Sequence, residues 1–275
     1  MDYTNCRLCP RECGANRTAG ETGFCGCPAT ALVAKAMLHM WEEPVLAGSG
    51  GSGAVFFGGC TLGCQYCQNA AISGEPVGKP TDSAGLRRIF EDLIAQGAEN
   101  IDLVTPTQYL PTILPALEPK LPVPVVCNCG GYERVETLRE LAGKIDIYLP
   151  DLKYADGTLA AALSGAPDYF PRAKDAIREM ARQTGAPQWQ GEKLLRGTVI
   201  RHLILPGHVE NSLRVLDWIG ENFAPGQVLV SLMRQYTPMG KLPAPFDRRV
   251  TEEEYQAVLS WMFLNGLEGF TQEPE

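Results

Sequence analysis

From about residue 53 onward, apolar and polar positions follow two periods in turn. Short apolar, β-branched runs recur as AVFFGG, IDLVT, VPVVCN, IDIYLPDLK, TVIRHLILPG and QVLVSLMRQY, and each reads as a buried strand. Between most of them lie stretches with helical spacing. DSAGLRRIFEDLIAQGA carries Leu86, Ile89, Phe90, Leu93 and Ile94 on one face, with Asp82 or Ser83 placed to cap it and Gly97 to end it. RVETLRELAGK (Leu138, Leu141) and NSLRVLDWIGENF (Leu213, Leu216, Ile219) repeat the pattern. TEEEYQAVLSWMFLNGL opens on a capping box, Thr251 with Glu254. Strands alternating with helices predict an α/β fold with parallel pairing and right-handed crossovers. Six strands are fewer than the eight of a closed barrel, so a partial barrel and a doubly wound sheet both fit. Residues 1–50 have no clear period and are expected to form a Cys-rich extension on a main domain spanning 51–275.

Composition narrows the class. A hydrophobic fraction of 45% and a charged fraction of 20% are those of an ordinary globular protein. The net charge of -8, with no basic stripe, argues against nucleic acid as a partner. The N-terminus is polar and no apolar run is long enough for a membrane span, so a cytoplasmic protein is expected. Gly48 to Gly53, GSGGSG, matches G-x-G-x-x-G by letter, but it precedes a strand and does not follow one, so it reads as a loop and not as a dinucleotide site.

In a reducing compartment, ten cysteines point to metal or redox chemistry more than to disulfides. Three of them, Cys60, Cys64 and Cys67, stand within FFGGCTLGCQYCQN at spacing Cys-x3-Cys-x2-Cys. A structural zinc site uses four protein ligands, and so do most iron–sulfur clusters. Three thiolates at a strand end can hold three irons of a [4Fe–4S] cluster and leave the fourth open to an outside ligand. A zinc ion completed by a distant Cys or His is the alternative. Cys6, Cys9, Cys13 and Cys25 supply four further thiols, enough for a closed second site holding structural zinc or an auxiliary iron–sulfur cluster, with Cys27 able to replace Cys25. Cys127 and Cys129, two apart on a strand, face one way and read as small apolar side chains. The three histidines, His39, His202 and His208, are scattered; His202 follows Arg201 and points to the opposite face.

The cluster loop, with Tyr66 before the third cysteine and Asn69 after it, resembles that of radical S-adenosylmethionine (radical SAM) enzymes. The order CRLCPRECGANR, EEPVLAGSGGSG, VTPTQYLPTIL, GGYERVETL, DIYLPDLKY, GAPDY, VIRHLILPGH and RQYTP is similar, nearly end to end, to activating enzymes of glycyl radical enzymes, in the PflX-like branch. The resemblance implies a partial (β/α)6 barrel with a C-terminal helix, a [4Fe–4S] cluster at its mouth, SAM on the open iron, and radical chemistry. It also implies a flavodoxin or ferredoxin as electron donor and a glycyl radical enzyme as partner. Modification of a small molecule or peptide is the alternative, and a non-catalytic zinc scaffold a third.

Carried over by position, the resemblance assigns Tyr66, Thr105, Thr107, Asn128, Lys153 and Arg201 to SAM. Three places depart from the family pattern. Thr105-Pro106-Thr107 stands where many relatives have Gly-Gly-Glu, and Asn128-Cys129-Gly130-Gly131 replaces an acid followed by Thr-Asn-Gly. Gln235 and Tyr236 lie where relatives carry a histidine. Arg201 also interrupts an apolar strand, where an unpaired charge is costly.

Overall fold

A computed structural model of the chain describes residues 1–239 and 242–272. Its strands are β1 (Ala31–His39), β2 (Ser52–Phe57), β3 (Lys79–Thr81), β4 (Ile101–Val104), β5 (Val125–Cys129), β6 (Ile147–Pro150), β7 (Gln188–Gln190), β8 (Lys193–Leu203), β9 (Leu229–Met233) and β10 (Gly269–Thr271). Its helices are α1 (Pro44–Ala47), α2 (Ala70–Ser73), α3 (Ser83–Ala95), α4 (Leu110–Ala116), α5 (Val135–Arg139), α6 (Gly157–Ser164), α7 (Tyr169–Thr184), α8 (Val209–Asn222) and α9 (Glu252–Leu264). The sheet order is β10-β9-β8-β6-β5-β4-β2-β1-β3, with β7 hairpinned onto β8. Strands β2, β4, β5, β6, β8 and β9 pair in parallel, and these are the six runs read from the sequence. The path ends at β10 on one side and β3 on the other, so the sheet stays open as a partial barrel.

Strands β4, β5 and β6 are buried at every position, as parallel strands covered on both faces must be. Period-two alternation then sorts their side chains. Leu103, Cys127, Tyr148, Ile200 and Val230 point into the helical layer, among Leu86, Phe90, Ile177, Leu216 and their neighbours. Val126, Ile147, Leu149, Val199 and Leu229 point the other way into a smaller inner core, closed by Leu46 of α1. Continuing along the inner face, the same alternation puts Asp102, Asn128, Arg201 and Ser231 on that face at stepped heights, Asn128 standing opposite Val104 and Leu149. Asp102 pairs with Val126, Arg201 with Ser231, and Asp151 bridges to Arg201. The polar interior is thus a consequence of register.

Asp82 caps α3 by accepting from Gly85 N, and the Thr251–Glu254 box caps α9, both as the spacing predicts. Two boundaries differ. β1 pairs antiparallel with β2 and β3, so residues 31–50 belong to the sheet and its plug, and the Cys-rich segment without strands ends near residue 30. A strand with one end buried and the other half-exposed shows no clean period. RVETLRELAGK forms only the short α5, while the longer α7, unread from sequence, covers β6 and β8.

His202, opposite Arg201 on β8, is fully buried. Leu152 O lies 2.6 Å from Nδ1 and can only accept, so Nδ1 carries the proton and Nε2 accepts from Ser212 Oγ at 2.8 Å. Burial, first of all, depresses its pKa to about 4. The unfolded chain therefore binds a proton below about pH 6.5 that the folded chain refuses. Stability should fall by up to roughly 3 kcal/mol as pH drops from 6.5 toward 4, with no His202 contribution above that window. Denaturant titrations of His202→Gln at stepped pH should show a flatter profile there.

Candidate cluster loop and adjoining cavities

The loop after β2 turns through Gly59 (φ 77°) and Gly63 (φ 68°), where a side chain would be strained. This sharp path brings Cys60, Cys64 and Cys67 around one cavity of about 250 Å³. Each thiol has a hydrogen-bond donor beside it. Leu62 N lies 3.4 Å from Cys60 Sγ, Ser164 Oγ lies 3.1 Å from Cys64 Sγ, and Ser73 Oγ lies 3.3 Å from Cys67 Sγ. Donors aimed at sulfur favour the thiolate and tune a bound cluster. Burial pushes Cys60 up to about 11 and raises Cys64 as well, so loading iron must displace protons. The donor set of three thiols with hydroxyl and amide support fits the [4Fe–4S] group, and open space lies beside it.

The loop is anchored on both sides. Arg11, from the N-terminal segment, donates to the carbonyls of Thr61, Leu62, Ser164 and Gly165, with its guanidinium 3.7 Å over the Phe24 ring. Tyr66 is buried; its hydroxyl accepts from Tyr154 OH at 2.8 Å, which in turn reaches Ser164 Oγ at 2.7 Å. One hydrogen-bonded chain therefore links Tyr66 to the Cys64 donor.

Of the residues assigned to SAM, Tyr66, Thr105, Asn128, Lys153 and Arg201 all line this cavity, together with Cys129, Asp151, Met233 and Gln235. Thr107 does not. It is buried behind the wall, where Oγ1 donates to Glu133 Oε1 at 3.1 Å, because the chain turns at Thr105 (φ 57°) into a 3-10 turn over Thr107–Tyr109. Tyr236 is likewise a packing residue, its OH donating to Phe246 O and its ring 6.0 Å from Tyr66. Cys127 faces the helical layer and only Cys129 reaches the cavity.

Arg201 organises the charges. It donates to Asp151 Oδ1 at 2.9 Å and Asn128 Oδ1 at 2.6 Å, and its Nη1 lies 3.5 Å from Glu42 Oε1. Lys153 pairs with the other oxygen of Asp151. Burial alone would raise Asp151, yet the Arg201 and Lys153 charges outweigh it and hold the carboxyl below its ordinary value. Asn128 donates to both Asp102 Oδ2 and Glu42 Oε2 at 3.3 Å. Asp102 is fully buried, burial and the neighbouring Glu42 push its pKa well up, and its Oδ1 has no partner. Glu42, Glu43 and Asp102 were not read from sequence. Glu42 and Glu43 sit in a landmark string, but nothing local says that the turn before α1 enters the barrel. Glu133 is a further unread acid, buried behind Cys129 and pushed up to about 7 by burial.

A second cavity of about 480 Å³ adjoins the first and shares Arg201, Met233 and Gln235 with it. Gly131 (φ 80°) lets the β5 end pass Asp151, since a Cβ there would lie 2.0 Å from Asp151 O. Gly131→Ala should destabilise the fold by about 1–3 kcal/mol in urea titrations, because the displaced backbone belongs to the charged network.

In the N-terminal segment Cys6 and Cys9 are buried, Cys25 is half-buried and Cys13 is exposed. Burial pushes Cys9 up to about 12, with Cys25, Cys6 and Cys13 near enough to add to the shift. Cys27 is buried beside Cys25, its thiol 3.2 Å from Cys25 O and 3.6 Å from Gly58 O. Among the described residues, no three Cys, His, Asp or Glu side chains already close on a point that a single metal ion could occupy. No described helix is long and apolar enough to cross a membrane.

Residues 46–105 match the family described as a 4Fe-4S single cluster domain, a stretch that includes all three loop cysteines. The uncharacterized protein MJ0674 of Methanocaldococcus jannaschii is 30% identical, over 94% of this chain and 74% of its own length. Among solved structures, methylornithine synthase (PylB) aligns at TM-score 0.51 and 16% identity, covering 78% of this chain and 68% of that one. A radical SAM methyltransferase from Sphaerobacter thermophilus aligns at 0.51 and 15%, covering 80% and 65%. SuiB from Streptococcus suis, bound to its precursor peptide SuiA, aligns at 0.52 and 16% over 78% of this chain but only 47% of its own. These likenesses concern the fold: an open parallel sheet shared with radical SAM proteins. The likeness to the MJ0674 protein, 30% identical along nearly the whole chain, places this chain in that protein's family, with a cluster-domain match over residues 46–105 and a fold like that of a radical SAM methyltransferase.

Proposed function

We propose that this protein cleaves SAM reductively and delivers the resulting radical to a substrate held beside the cluster loop. The observation that carries the reading is the convergence of Cys60, Cys64 and Cys67 with Asn128, Lys153 and Arg201 on one cavity. A [4Fe–4S] group held by the three thiolates would pass one electron to SAM, breaking its S–C5′ bond to leave methionine and a 5′-deoxyadenosyl radical that takes a hydrogen atom from substrate. The chain's own residues bind, orient and exclude water. Lys153 and Arg201 present cationic donors to a carboxylate, Thr105 and Asn128 offer hydrogen-bond partners, and the tyrosines around Tyr66 close the wall. A buried site of this kind keeps a reactive radical from solvent. The electron comes from a low-potential flavodoxin or ferredoxin.

Two substrates fit this chemistry. The resemblance to activating enzymes points to a backbone glycine of a partner glycyl radical enzyme. The second reading is a small molecule or peptide, favoured by the 480 Å³ cavity that adjoins the cluster cavity. The test is anaerobic: reconstitute with iron and sulfide, reduce, add SAM and assay 5′-deoxyadenosine. Formation supports the reading, and a loaded, reduced cluster whose EPR spectrum ignores SAM overturns it. Co-expression with a glycyl radical enzyme should yield a glycyl radical signal if the first substrate is correct. The N-terminal thiols are proposed to hold zinc or an auxiliary cluster, which a zinc and iron count of the same preparation tests.

A further inference from the structure

We propose that the N-terminal Cys-rich segment is a working part of the cluster site, with Arg11 as its positioning residue. Arg11 fixes the cluster loop against the end of α6 and makes a cluster held there easier to reduce. The inference rests on the radical SAM reading and names what sets the potential and the SAM contact of that same site.

The first observation is what Arg11 holds. Its guanidinium donates to four carbonyls, those of Thr61 and Leu62 in the cluster loop and of Ser164 and Gly165 at the C-terminal end of α6. Two of these residues also direct donors at the loop sulfurs. Leu62 N lies 3.4 Å from Cys60 Sγ, and Ser164 Oγ lies 3.1 Å from Cys64 Sγ. One side chain therefore sets the relative position of both donors. A planar guanidinium fork can span four carbonyls, whereas an ammonium carries all its donors on a single nitrogen and cannot.

The second observation is charge. Ser164 ends α6 and faces Cys64, so the negative end of that helix dipole lies at the cluster loop. Arg11, bonded to the terminal carbonyls of α6, offsets it. Reduction adds a negative charge to a cluster, and a nearby cation stabilises that form, which raises the potential.

The third observation is the other flank. The buried Arg17 donates to Gln108 O at 2.6 Å, and Gln108 Nε2 donates to Gly59 O at 3.1 Å and Thr105 O at 2.8 Å. The residue before Cys60 and a residue assigned to SAM are thus held from the same segment. The loop does not depend on Arg11 for attachment. Gln65 N donates to Leu163 O at 2.9 Å and Gln65 Nε2 to Ala162 O at 2.6 Å, so a variant at Arg11 alters the loop without releasing it from α6.

The experiment compares reconstituted wild type, Arg11→Gln, Arg11→Lys and Arg87→Gln under anaerobic conditions. Arg87 controls for a lost charge: it pairs with Glu91 on α3 and donates to Pro119 O ahead of β5, at the opposite end of the strands from the loop. Iron per chain, the cluster's midpoint potential without SAM, and the SAM dependence of the reduced cluster's EPR spectrum are measured. Iron content is expected to match wild type throughout. The midpoint should move to lower potential in Arg11→Gln and stay near wild type in Arg11→Lys and Arg87→Gln. The SAM concentration giving half of the spectral change should rise several-fold in both Arg11 variants, because lysine restores the charge and not the fork. An unshifted potential in Arg11→Gln, an equal shift in Arg87→Gln, unchanged SAM dependence in both Arg11 variants, or iron loss with the remaining cluster at wild-type potential overturns the proposal. If the wild-type spectrum ignores SAM, the radical SAM reading falls. If it responds and the Arg11 variants match it in potential and SAM dependence, only the role of Arg11 falls.

Discussion

Cys64→Ala is expected to abolish 5′-deoxyadenosine formation and to drop bound iron in the loop from about four per chain to a residual level. The three loop thiols share one cavity, each beside a hydrogen-bond donor, and among the described residues the further thiol lining it is Cys129 at the strand end. Removing Cys64 also takes one acceptor from Ser164 Oγ, which keeps Tyr154 OH as its partner in the chain to Tyr66. Cys127→Ala is the matched control. Its thiol faces the helical layer and should leave iron and product unchanged. Iron analysis, EPR with and without SAM, and chromatography of the nucleoside product make the comparison. Full activity in Cys64→Ala, or equal loss in both variants, would sink the assignment of the loop.

Arg201→Leu is expected to be the most destabilising single change in the barrel, by about 3–5 kcal/mol, because it leaves buried carboxylates without their cation. Side-chain exposure is only 16% for Arg201 and 15% for Asp151, so solvent screens the pair little. That loss corresponds to a fall in Tm of roughly 6–20 °C for a domain of this size. The acid side carries a second signature. Asp151 is held below its ordinary value, so its contribution is present above about pH 4 and lost as pH falls through its folded pKa. In Arg201→Leu that acid-side slope should flatten. Glu42→Gln added to Arg201→Leu should restore part of the stability, since Glu42 pairs with Arg201 while Asp151 keeps Lys153. Thermal melts of the three variants across pH 3 to 7 would decide, and strictly additive losses would show that the network is not coupled.

How far the sequence reaches can be judged from particular residues. The six parallel strands were legible because covered strands are apolar throughout, a local signal that needs no partner. β1 was not, since it is buried at one end and half-exposed at the other. The thiol loop was legible because its ligands lie within one turn of chain, where spacing and geometry are nearly the same thing. Arg201 was legible as a charge in an apolar strand, and the structure places it among Asp151, Asn128 and Glu42. Thr107 shared the reach of Thr105 on paper, but a left-handed residue and a 3-10 turn carry it behind the wall. Nothing local separates the two.

The sequence by itself determined the alternating α/β order, the capped helices and the three-thiol loop, because each depends on residues a few positions apart. The tertiary structure alone decided what the barrel encloses. Asp102 and Glu42 meet because β4 and β5 share a register that turns Asp102 and Asn128 inward while the turn before α1 plugs the open barrel. Period two says which side chains share a face of a strand; only the closing curvature of the sheet says which face is inside.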